Sequence, residues 1–103
     1  MQIIDAALFT ADQPWGARDL AHLGDATVRL HWTNESYHWH VNDGPEVFVV
    51  LDGTVRMHHR TGGVESHEDL RAGLVCIVEV GDEHVAEPLG TARILVIEQA
   101  GSE

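Results

Sequence analysis

Eight histidines stand among the 103 residues of this chain, and the spacing of four polar positions around them is its first chemical signal. His38 and His40 alternate with Trp39 and Val41. Asn42 follows, Glu46 comes after a short turn, and His84 lies far downstream. Neutral imidazole suits Zn, Cu, Fe or Ni, and mixed nitrogen–oxygen donor sets suit non-haem Fe or Mn. Two histidines, a carboxylate and a distant third histidine therefore predict a divalent transition metal (Zn, Fe, Mn or Ni), provided the fold brings them to one point. Glu46 heads the apolar run Val47-Phe48-Val49-Val50-Leu51, where a buried carboxylate is costly unless something pairs with it. If it is not a ligand, it is the candidate catalytic base.

The elements that must position these groups are strands. In Ala26-Thr27-Val28-Arg29-Leu30-His31-Trp32 the apolar residues recur at every second position, which marks a half-buried strand. Similar runs predict strands over about 36–42, 46–52, 54–60, 64–70, 74–80 and 91–99. Asn42-Asp43-Gly44-Pro45, Asp52-Gly53, Thr61-Gly62-Gly63, Ala72-Gly73 and Val80-Gly81-Asp82 separate them as turns. Only Ala17 to Leu23 reads as a helix, too short to organise a fold. The expectation is an all-β sandwich or barrel of one domain over 1–103: an N-terminal strand or arm region at 1–24, a core at 25–99 and a tail at 100–103. On a continuous strand, residues two apart share a face, so His38, His40 and Asn42 are expected to point inward together.

The segment His40-Val41-Asn42, three residues, Glu46, six residues, Gly53 resembles the first cupin motif, H-x-H-x(3,4)-E-x(6)-G. Gly73, five residues, Glu79-Val80-Gly81, two residues, His84 resembles the second, G-x(5)-P-x-G-x(2)-H-x(3)-N. Trp15-Gly16-Ala17-Arg18-Asp19-Leu20 and Tyr37-His38-Trp39-His40 are similar to a small single-domain cupin subgroup. The resemblance implies a jelly roll of two antiparallel sheets around a cavity. It also implies a metal at His40, Glu46 and His84, a small polar ligand and often a homodimer.

The departures are as informative. In this register the second motif-one histidine is Asn42, the motif-two proline is Glu79 and the asparagine is Pro88. The other register takes His38-Trp39-His40 as the pair, with five residues before Glu46. Either His38 or Asn42 thus remains to complete the donor set. His38 is alternatively a residue that orients His40, and Asn42 one that orients a neighbour or makes the turn. Two further outcomes stay open: a structural metal, and a metal-free ligand-binding or sensory cupin in which Asn42 marks a decayed site.

Six Lys and Arg against seventeen Asp and Glu give a net charge of −11, which repels phosphate backbones and anionic membrane surfaces alike. No nucleic-acid or membrane partner is expected. The start of the chain, without basic residues or a long apolar run, fits a cytoplasmic protein. Cys76 reads as a buried small hydrophobe. His22, His31 and His67 read as surface residues, and His59 as able to reach the cavity. Glu79, Asp82, Glu83 and Glu87 read as an acidic rim able to raise the pKa of His84. Trp15, Trp32 and Trp39 read as packing residues of the core or a dimer. Phe48, Val50, Val55, Met57 and Val96 are the expected cavity lining.

Overall fold

The computed structural model describes residues 1–102. A short 3-10 turn, Ala6–Leu8, precedes nine strands: β1 Gly16–Leu23, β2 Ala26–Thr33, β3 His40–Val41, β4 Glu46–Asp52, β5 Thr54–Thr61, β6 Val64–Arg71, β7 Val75–Val78, β8 Glu83–Pro88 and β9 Ala92–Gln99. They form a five-stranded sheet in the order β1-β2-β9-β4-β7 and a four-stranded sheet in the order β3-β8-β5-β6, with every strand pair antiparallel. This is the all-β double sheet that the alternating pattern implies. No helix among the described residues is long and apolar enough to cross a membrane.

Three elements differ from the sequence expectation. Ala17 to Leu23 is not a helix but most of β1, because pairing with the strongly alternating β2 outweighs the weak local helical preference. The run 36–42 yields only the two-residue strand β3. β8 is a strand that the sequence reading passed over, since its central Val85 and Ala86 offer only a brief apolar run.

Inner faces alternate as a period-two pattern requires. Phe48, Val50, Val55, Met57, Leu70, Ala86, Ala92, Ile94 and Val96 form one buried cluster between the sheets. The Asp52-Gly53 turn is not the tight hairpin its residues suggest, because it carries the chain from β4 in one sheet to β5 in the other. Gly53 has φ 78°, and a Cβ there would lie 2.3 Å from the Thr91 carbonyl, so both backbone sign and space demand glycine. The register of β4 with β7 and β9 sets where Glu46 stands, opposite Val78 on one side and Glu98 on the other.

Candidate functional site

The two sheets place the polar candidates on facing walls. On the four-stranded sheet, His40 of β3 stands directly opposite His84 of β8, which in turn stands opposite His59 of β5. Cross-strand partners share a face, so the imidazoles of His40 and His84 meet, with ring centroids 4.2 Å apart. On the five-stranded sheet, Glu46 of β4 stands opposite Glu98 of β9. His40, Glu46, His84 and Glu98 all line one cavity of about 280 Å³.

Hydrogen bonds fix which ring nitrogens are available. His40 Nδ1 lies 3.0 Å from the His38 carbonyl, which can only accept. His40 therefore carries its proton on Nδ1 and presents Nε2 as a lone pair. Asn42 is buried, and its Nδ2 donates to the carbonyls of Gly44 and Val78, which turns Oδ1 toward His84 Nε2 at 3.4 Å. That places the His84 proton on Nε2. His84 Nδ1 is then a buried lone pair with no hydrogen-bond partner. Burial first, then the neighbouring His40, lowers the His84 pKa to about 4, so the ring is neutral at physiological pH.

The carboxyls tell the complementary story. Glu46 is 6% exposed, and its cross-strand neighbour is Glu98. Burial, and then the Glu98 carboxyl, push its pKa up to about 8. A buried carboxyl beside a second one resists ionisation unless a cation compensates it, so Glu46 keeps its proton.

Several expectations need correction. His38 is exposed, its ring stacked on Tyr37 with centroids 4.1 Å apart and tilted 5.6 Å from the His40 ring, and its carbonyl lies against His40 Nδ1. The inward parity expected of it fails because β3 does not extend back to residue 38. Asn42 holds and orients His84 while both its amide hydrogens serve backbone carbonyls. Burial, rather than the acidic rim, dominates His84. Glu83 pairs with Arg60 at 3.0 Å, Glu87 bonds His58 at 2.8 Å, and Asp82 Oδ2 accepts from the Glu79 amide. Val50 and Val55 are sealed in the core, whereas Phe48 and Val96 line the cavity. Met57 and His59 border a second cavity, together with Cys76, whose thiol burial pushes up. Trp39 lies on the outer face, 4.0 Å under the Arg60 guanidinium.

The sequence reading missed Arg29, His31, Tyr37 and Glu98 as lining residues, and took Trp15 for packing. Trp15 sits at φ 62°, a conformation rare for a bulky side chain, and its indole meets the edges of His31 and Tyr37. Its Nε1 donates to the Glu35 carbonyl at 2.9 Å, and its own carbonyl accepts from His31 Nδ1 at 3.0 Å. His31, classed as surface, is half-buried and neutral, with Nε2 left as an acceptor. Arg29 is held by Asp19 at 2.6 Å. Alternation in β2 had placed Arg29 and His31 on one face; nothing local marks a Trp for positive φ.

Among the described residues, no three His, Cys, Asp or Glu side chains already stand around one point in a way that would hold a metal. The donor chemistry nevertheless fits one. Two neutral imidazoles have lone pairs fixed by their other nitrogens, one of them orphaned in the interior, and two carboxyls share their cavity. A bound cation would replace the proton that Glu46 holds.

Two antiparallel sheets closed over such a cavity place the chain in the double-stranded β-helix class. No family model and no curated protein matches the sequence. Solved structures do match. A cupin-2 domain protein from Shewanella frigidimarina superposes with TM-score 0.77 at 29% identity, over 90% of this chain and 86% of that one. A cupin superfamily protein from Desulfitobacterium hafniense gives 0.76 at 20%, over 91% and 85%. Hydroquinone 1,2-dioxygenase from Sphingomonas, with 4-hydroxybenzoate bound, gives 0.78 at 20%, over 88% of this chain but 29% of its own. The chain has the fold of a small cupin domain.

Proposed function

We propose that this cupin binds one divalent transition metal through His40 Nε2 and His84 Nδ1, with Glu46 as an oxygen donor, and takes a small polar molecule beside it. The observation that carries this reading is the pair of fixed tautomers. Each histidine spends one nitrogen on an orienting partner and leaves the other as a lone pair, the arrangement that ligating histidines need. The similarity to a dioxygenase domain is compatible with it.

The rest of the cavity suits a compact, flat ligand. Trp15, Tyr37 and Phe48 supply apolar walls, His31 Nε2 accepts a hydrogen bond, and the Arg29 guanidinium can donate at the rim. A metal here would polarise a carbonyl or enol oxygen of that ligand. The chain's own part is to exclude water with the aromatic wall and orient the ligand with His31 and Arg29.

The test is metal titration of the untagged protein. Wild type should take up one equivalent, His84→Ala should lose about 100-fold or more in affinity, and His38→Ala should stay within a few-fold, because the His38 carbonyl survives. Equal uptake by wild type and His84→Ala would refute the reading. A metal-free, ligand-binding cupin is the second reading. The satisfied hydrogen bonds of Asn42, in the position of a family histidine, favour it.

A further inference from the structure

We infer that Glu98 is a metal-binding residue of this site and supplies the donor that Asn42 cannot, giving two imidazoles and two carboxylates. The inference rests on the metal reading above and adds to it a residue that neither motif contains.

Four observations support it. Glu98 is the direct cross-strand partner of Glu46, so the two side chains rise from the same face at the same depth. Both line the cavity that His40 and His84 enter from the other sheet. His84 Nδ1 is buried without a hydrogen-bond partner, a free donor for a cation. Finally, Asn42 is unavailable, since both amide hydrogens are committed to backbone carbonyls and its oxygen faces His84.

The chemistry follows from charge and softness. Two neutral imidazoles and two carboxylates cancel a divalent charge within the barrel, whereas three imidazoles and one carboxylate would leave one positive charge in a buried space. Replacing an imidazole by a carboxylate also hardens the donor set. The preference for Zn²⁺ over Mn²⁺ should therefore be narrower than for a three-histidine site.

The surface carries other acidic residues that attract cations weakly, so the test needs a surface control. Free Mn²⁺ is followed by electron paramagnetic resonance as the untagged full chain is titrated at pH 7.5, alongside Glu98→Gln, Glu98→Asp, Glu65→Gln and His84→Ala. Zn²⁺ affinity is measured in parallel by calorimetry. Wild type should show one tight Mn²⁺ site. Glu98→Gln should weaken it at least tenfold while Zn²⁺ affinity changes less, and Glu98→Asp should fall between. Glu65→Gln, on the exposed strand β6, should match wild type.

Glutamine keeps the size of Glu98 and can still hydrogen-bond Glu46, and the aspartate variant gives a second reading if the first folds poorly. If Glu98→Gln binds Mn²⁺ as tightly as wild type while His84→Ala does not, the metal site stands and the role of Glu98 is overturned. If wild type and His84→Ala are alike, the metal reading falls and this inference falls with it.

Discussion

Stability of the metal-free protein should decline above pH 6.5, by about 1–2 kcal/mol between pH 6.5 and 9, and a divalent ion should remove the decline. Two buried groups determine the sign. Glu46 keeps its proton in the fold to about pH 8, whereas in the unfolded chain it ionises near 4.5. Rising pH across that window therefore favours the unfolded chain, which has already released the proton. His84 acts in the opposite sense. Its folded pKa of about 4 lies below the unfolded 6.5, so its contribution is lost as pH falls below 6.5. The two oppose each other between pH 4.5 and 6.5, and above that Glu46 acts almost alone. Thermal melts with a chelator should show the midpoint falling by about 5–10 °C from pH 6.5 to 9. Metal competes with the same protons, so its stabilisation should grow over this range. A metal-free midpoint that rises with pH would refute the assignment of a proton to Glu46.

Asn42→Leu should cost about 3–5 kcal/mol of folding stability, a large share of what a small domain possesses. The substitution strands the His84 Nε2 proton and the carbonyls of Gly44 and Val78, all of which Asn42 now satisfies. It also releases the His84 tautomer, so metal affinity should drop about 10- to 100-fold. Urea unfolding measures the first effect and metal titration the second. A cost below about 1 kcal/mol would show that Asn42 is a replaceable turn residue.

Much of this was legible in the sequence because strand alternation is a strong local signal. β2, β4, β5, β6 and β9 follow from it, as does the turn at Gly53. His40, Glu46 and His84 were legible because their spacing survives in both cupin motifs. What escaped depends on contacts between distant segments. Glu98 carries no motif and acquires meaning only when β9 pairs with β4. His31 looks like an ordinary polar position of an alternating strand until Trp15 folds over it. His38 was misplaced because a period-two argument assumes a continuous strand, and the chain enters β3 only at His40.

The most direct measurement is anomalous diffraction from crystals of the untagged protein grown with Mn²⁺ or Zn²⁺. One strong peak should lie about 2.0–2.2 Å from both His40 Nε2 and His84 Nδ1, the bonding distance for imidazole. Peaks confined to surface carboxylates such as Glu79 and Asp82, with the two rings still unbridged, would contradict the account.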